Sequence, residues 1–261
     1  GIAREEFHRA FMNKRFWLVG LLAAVSFAYG YMQVNSMLTY PLGAVTIWQE
    51  ILRRGSYGFS AALMAGLPFA DSLLHDRRHH YAGQVLLRTR HKSYLCAKTA
   101  AVFCSGMAAV TMPALILLII CALAFPPDSQ FFSETSFFDI NNLLNPNVIE
   151  PRFSLTLSLP EFVLVSLLLM ALFGGMYALL GLGASFIIRN PFVVLGIPFT
   201  VYSLGYYILP TSRQLSWLGS TEAALLPSYG LLSPILQYLT AAAFFVLCLL
   251  LFGKKERILM D

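Results

Sequence analysis

The chain has 261 residues, 57% of them hydrophobic and 12% charged, with a formal net charge of +5 and a mean hydropathy of +0.67. Soluble domains carry about 25% charge, so that class is excluded, and repeated apolar runs of about twenty residues predict an all-α integral membrane protein. Nucleic acid is not needed to explain the positive balance: most Lys and Arg flank apolar runs, where topology and an anionic leaflet account for them.

Residues 1–15 come first. Placed on a helix, Ala3, Phe7, Ala10, Phe11 and Lys14 form one stripe, which predicts an amphipathic interfacial helix with Lys14 reaching for headgroups. Arg4, Glu5, His8, Arg9 and Asn13 point elsewhere on that helix. The first span is expected at 16–33. Residues 34–54 read as a connection, with Asn35, Thr39, Pro41, Gly43 and a lone acid, Glu50. Tyr40 and Trp48 suit a membrane interface there. The second span is expected at 56–74, with Asp71 near its end, where a carboxylate reaches headgroup water.

A polar stretch then interrupts the apolar pattern. Leu73 to Lys98 holds six of the eighteen Lys and Arg and four of the five His. Clamped between two membrane-length runs, it must lie at one membrane face, and 75–98 is the predicted connector. The third span, 99–125, carries Pro113 as a kink. Residues 126–160 form a loop with four acids (Asp128, Glu134, Asp139, Glu150) and one base, Arg152. The fourth span, 161–188, places Gly174, Ala178, Gly181 and Ser185 on one small-residue face suited to close helix packing. Arg189, Asn190 and Pro191 make a tight turn. The fifth span, 192–209, is broken by Pro198, and Thr200, Tyr202, Ser203 and Tyr206 on it are candidates for a substrate path. A second loop, 210–234, is apolar enough to dip back into the membrane. The last span is expected at 235–252.

All Lys and Arg except Arg53, Arg54, Arg152 and Arg213 fall on one set of segments: the N-terminal arm, the connector, the turn at Arg189 and the tail with Lys254, Lys255 and Arg257. The positive-inside rule therefore predicts six transmembrane helices with both termini cytoplasmic and 126–160 and 210–234 outside. Arg53 and Arg54 are the blemish in that pattern.

Several chemistries lack their residues. His75, His79 and His80 form an HxxxHH that resembles one histidine box of membrane di-iron desaturases, but such sites need more imidazoles than the five His present. Cys96, Cys104, Cys121 and Cys248 have no CxxC spacing and predict neither a zinc site nor a disulfide framework. No phosphate-binding loop and no GxSxG occurs, nor an intramembrane acid pair for a proton relay. The chain carries no visible engine of its own.

The connector reads, in order, Asp76-Arg77-Arg78, Gly83, Leu86-Leu87, Arg88, Arg90, Tyr94 and Lys98. With an amphipathic arm and two spans before it and three spans, an outer loop and a last span after it, the layout resembles the ABC-2 type permease family, the membrane half of type V ATP-binding-cassette exporters. The acid is Asp where that family more often has Glu. The resemblance implies a dimer of six-span subunits, identical or paralogous, in a bacterial plasma membrane, with two separate ABC ATPase subunits docked beneath. It implies no catalytic site, cofactor or metal in this chain; ATP and magnesium belong to the ATPase. It also implies a coupling helix formed by His75, Asp76, Arg77, Arg78, His79, His80, Gly83, Leu86, Leu87, Arg88 and Arg90. An amphipathic or hydrophobic cargo fits the aromatic, charge-poor spans. A polytopic enzyme using the His cluster and a non-transporting membrane anchor or sensor stay open as other classes.

Overall fold

The computed structural model describes residues 2–35, 43–78, 91–127, 159–208, 238–239 and 242–250, and every regular element among them is helical. The helices are α1 (Ile2–Phe11), α2 (Arg15–Asn35), α3 (Ala44–Arg54), α4 (Tyr57–Gly66), α5 (Ser72–Arg78), α6 (His91–Ala124), α7 (Leu159–Ser185) and α8 (Pro191–Ile208), followed by helical residues 242–250. Three segments are long and apolar enough to cross a membrane: Arg15–Asn35, Ser93–Ala124 and Val163–Ser185. The chain is a helical membrane protein. Its outward faces fit lipid as solvent. On α2, Trp17, Leu21, Val25 and Met32 are exposed, while Val19, Ala23, Ser26, Gly30 and Val34 are buried.

Helix α6 is the rail on which the rest is laid, touching α7, α1, α3, α4 and α2. Pro113 sits inside it and cannot supply the N–H that would pair with the Ala109 carbonyl. Two neighbouring carbonyls take side-chain donors from outside the helix. The Tyr57 hydroxyl donates to Val110 O at 2.6 Å, and Trp48 Nε1 donates to Ala114 O at 2.9 Å. Both aromatic residues are fully buried.

These bonds also set a register. The Ala44 amide donates to Pro126 O, Trp48 meets Ala114, Tyr57 meets Val110, and Asp76 meets Lys98 and Tyr94. Residues 44–76 therefore run antiparallel to 126–94, in the same order though not residue for residue. This departs from two expectations. Residues 44–54, expected within a connection, form helix α3, whose Ala44, Ile47, Trp48, Ile51 and Leu52 are buried at helical spacing. Trp48 is in the core, not at an interface. The run expected as a single span over 56–74 is divided into α4 and α5 by a turn at 67–71. Pro68 lies in that turn and has no N–H to continue the ladder. Helix α6 also starts at His91, earlier than the expected 99, because no Gly or Pro interrupts residues 91–98.

Between α3 and α4 the chain turns at Gly55 and Ser56, with Ser56 in the left-handed region at φ 52°. Gly55 presses on α2. A Cβ there would lie 2.5 Å from Ser26 O, and the Ser26 hydroxyl donates to Gly55 O at 2.7 Å. Among the described residues the most extensive helix pairing is α6 with α7. A Cβ on Gly106 would lie 2.5 Å from both Gly174 O and the Ala178 methyl, so two backbones touch with no side chain between them. Dispersion at such contacts holds helices together where lipid removes the hydrophobic drive.

Gly174→Val should lower the unfolding temperature in detergent markedly, with a cost of about 1–3 kcal/mol or more from forced separation of α6 and α7. Gly20→Ala, where an added Cβ meets nothing within 4 Å, should leave it unchanged or raise it slightly, since Ala favours the helix over Gly by about 0.5–1 kcal/mol. Equal effects in a thermal-shift assay would contradict this packing.

Candidate functional site

Among the described residues, the densest polar chemistry lies where α1, α5 and the start of α6 converge. Asp76, in the last turn of α5, is fully buried, as are Glu6 on α1 and Lys98 on α6. Asp76 Oδ1 accepts from Arg9 Nη2 at 2.6 Å. Its Oδ2 accepts from the Tyr94 hydroxyl at 2.5 Å and from Lys98 Nζ. Lys98 Nζ also donates to the Tyr94 oxygen at 3.1 Å and lies 3.4 Å from Glu6 Oε2. Arg9 Nη1 closes the ring on Glu6 Oε1 at 3.0 Å. Two carboxylates thus face two cations, and the Phe69 ring roofs both cations at 5.9 and 5.5 Å from its centroid.

Local sequence explains the placement. Tyr94 and Lys98 are four apart on one helix and therefore share a face. Glu6, Arg9 and Ala10 share a face of α1. That face is turned inward, so Arg9, expected to point elsewhere, is instead a ligand of Asp76. Phe11 and Lys14 of the expected stripe are exposed, and Phe7, Phe11 and Phe16 stack in series at 6.2 and 5.9 Å.

Burial alone would raise the Asp76 carboxyl. The Lys98 charge and the hydrogen bonds from Arg9, Lys98 and Tyr94 outweigh it and hold Asp76 below its ordinary value. The acid is therefore ionised and spoken for within the chain. Expected among the coupling residues, it bonds Arg9, Tyr94 and Lys98 within the chain.

The junction extends in both directions. Toward α2, Asn13 Nδ2 donates to Pro68 O at 2.7 Å, Asn13 Oδ1 caps α2 by accepting from the Arg15 amide at 3.1 Å, and Arg15 Nη1 bonds Asp71 Oδ1 at 2.5 Å. Asp71, expected to reach headgroup water, is buried in that pair. Toward α7, Arg77 Nη1 donates to Ser185 O at 3.2 Å and Arg78 Nη2 to Arg189 O at 3.3 Å. Cations there meet the carbonyl end of α7, where they are favoured. Asn190 then caps α8 through its side-chain oxygen and the Phe192 amide, 3.1 Å, with Pro191 at the first helical position. Four residues, Asp71, Asp76, Arg77 and Arg78, thus tie α1, α2, α6 and α7 together.

Of the other expected coupling residues, His75 is exposed at this junction, while His79, His80, Gly83, Leu86, Leu87, Arg88 and Arg90 lie outside the described residues. On the packing face of α7, Gly174 and Ala178 meet Gly106, Gly181 meets Ala70, and Ser185 lends its carbonyl to Arg77. Of the expected substrate-path residues, Thr200 and Tyr202 face different sides of α8. Tyr202 is buried among Phe59, Phe173 and Tyr177 at centroid distances of 5.2, 5.7 and 6.0 Å. Thr200, two residues away and so on the other side of α8, is exposed and bonds back to Gly196 O. Ser203 is half-buried, and the side chain of Tyr206 lies outside the described residues. Among the described residues no three His, Cys, Asp or Glu converge on a metal position. Glu6 and Arg9 were missed by sequence reasoning. Their i, i+3 spacing signals a pair, but nothing local says that it turns inward.

Comparison with protein-family models, with curated proteins and with solved structures gives no match.

Asp76→Asn should destabilise the chain by about 3–5 kcal/mol, because Lys98 stays buried with a weakened partner set; Asp76→Asn/Lys98→Met should recover part of it, as detergent unfolding curves would record. Asp76 titrates lower in the folded chain than in the unfolded one. Its contribution should be whole above about pH 3.9 and fade as pH falls from there through the depressed folded value. Asp76→Asn should flatten that acid limb of the stability profile; an unchanged limb would refute the assignment.

Proposed function

We propose that this chain is the transmembrane subunit of an ATP-binding-cassette exporter of the ABC-2 permease type, with six spans and cytoplasmic termini. A separate ATPase supplies the energy, and a second permease subunit completes the path. The observation that carries this reading is the junction at residues 71–78. The connector begins from a residue bonded to α1 and α6, beside residues bonded to α2, α7 and the turn into α8. A partner that docks on 79–90 and shifts the connector pulls on all of these at once. A network of buried charges transmits such a shift well, since its partners either stay paired or exchange as a set.

In this reading the roles divide by position. Arg88 and Arg90, with the apolar Leu86 and Leu87, meet the ATPase. Asp76, Lys98, Arg9 and Glu6 carry the shift into the spans. The cargo is amphipathic or hydrophobic, and the protein resides in a plasma membrane, with the basic connector on its anionic inner face.

Purification in mild detergent should bring down a stoichiometric soluble ATPase, and Arg88→Glu/Arg90→Glu should release it. Asp76→Asn/Lys98→Met should keep the ATPase bound and hydrolysing ATP while cargo movement drops at least tenfold. No ATPase at any detergent stringency would refute the exporter reading.

A further inference from the structure

Helix α3 has a second face that the core does not use. Thr46, Gln49, Glu50 and Arg53 fall at i, i+3, i+4 and i+7, and Arg54 completes the stripe. Glu50 bonds both arginines: Oε2 accepts from Arg54 Nε at 2.8 Å, and Oε1 lies 3.4 Å from Arg53 Nη2. The side chains of Arg53, Arg54 and Glu50 keep 35, 31 and 23% of their surface exposed. Arg53 and Arg54 lie in the last turn of α3, but that turn sits inside the bundle and not at its rim. Gly55, beside Arg54, packs on Ser26, and the Ile51 carbonyl packs on Gly30. Those two positions lie about 7–14 Å inward from the outer end of α2 by helical rise. The same level on α6 is fixed by Trp48 at Ala114 and Tyr57 at Val110, well inside the apolar segment Ser93–Ala124.

Charged side chains at that depth are costly against hydrocarbon, about 2.5–3.5 kcal/mol for an Arg by insertion scales, and are found facing water or protein. The three charges on this face sum to one excess positive. Guanidinium forks match carboxylate and phosphate better than any other side chain does. Resting on the exporter reading, we propose that the Thr46–Arg54 face of α3 borders a water-filled path in the outer half of the membrane, where Arg53 and Arg54 hold the anionic group, carboxylate or phosphate, of an amphipathic cargo. Glu50 keeps the two guanidinium groups spread and aimed along one face before the anion arrives. The placement also accounts for why two arginines interrupt the charge pattern of the chain: they serve the path and not the topology.

The test needs no ATPase, so its failure is separable from failure of the exporter reading. Cys96, Cys104, Cys121 and Cys248 are replaced, Gln49→Cys is added, and full-length protein in membrane vesicles is treated with thiosulfonate reagents of either charge. Thr46→Cys is the second site should the first fail to insert. The thiol should react from water, faster with the anionic than with the cationic reagent by about sevenfold for one unit charge near 7 Å. Arg53→Gln should bring that ratio toward one. Dodecyl phosphate added from water should slow labelling. No reaction until the protein is unfolded would put the face in lipid and overturn the proposal. Equal rates for the two reagents would overturn the anion role. Oxidative cross-linking to a second copy without labelling would make the face a subunit interface instead. Slowing by phosphatidylglycerol in the vesicles, but not by dodecyl phosphate, would replace the cargo with a resident lipid.

Discussion

A carboxylate that has lost its water must be surrounded by donors, and one end of this molecule is built to meet that demand at Asp76. One oxygen takes Arg9, and the other takes Tyr94 and Lys98. To deliver those donors the chain must bring α1 across the base of α6 and hold α5 between them. Glu6 follows because two cations around one acid would leave a charge unbalanced, and its contacts with Arg9 and Lys98 restore neutrality. Buried ion pairs add little net stability but penalise any arrangement that breaks them. The cluster therefore specifies one arrangement of the arm, the connector base and the long helix, more than it strengthens the fold.

Higher in the bundle the organising demand is different. Pro113 disrupts the hydrogen-bond ladder of α6 in surroundings where backbone groups have no water to turn to. Trp48 and Tyr57 bring donors to the carbonyls beside it, and they come from either side of the Gly55–Ser56 turn. The interruption in α6 and the interruption between α3 and α4 thus lie against each other. The side chains of Trp48 and Tyr57 couple α6 to α3 and α4.

Much of the helical layout was legible in the sequence. The spans expected at 16–33 and 192–209 differ from α2 and α8 by only one or two residues at either end, because apolar length is a strong signal and Asn13 and Asn190 are ordinary caps. Helix α3 was not legible by hydropathy, since Glu50, Arg53 and Arg54 make its window look like a loop. Its period was present all the same, with Ile47, Trp48, Ile51 and Leu52 on one side. The polar junction was visible only in half. Asp76, Tyr94 and Lys98 stood out near the connector, but Arg9 is 67 residues from Asp76. In a membrane protein a basic arm already has an explanation in topology, and that explanation hid a tertiary contact. Thr200 and Tyr202 show what composition leaves out: two polar residues close in sequence face different sides of α8 when two positions separate them.

The touching backbones at Gly106 and Gly174 bear on how this chain can diverge. Lipid accepts almost any apolar side chain, so the exposed faces of α2, α6 and α7 are free to drift until little of their identity is left. Gly106 and Gly174 are not free, because a single methyl carbon at either position collides with main-chain atoms of the other helix. The acid that opens the connector, with its Tyr and Lys one helical turn apart on α6, is bound by charge in the same way. Distant descendants of this sequence should thus be recognisable by a sparse set of spaced positions and not by overall likeness.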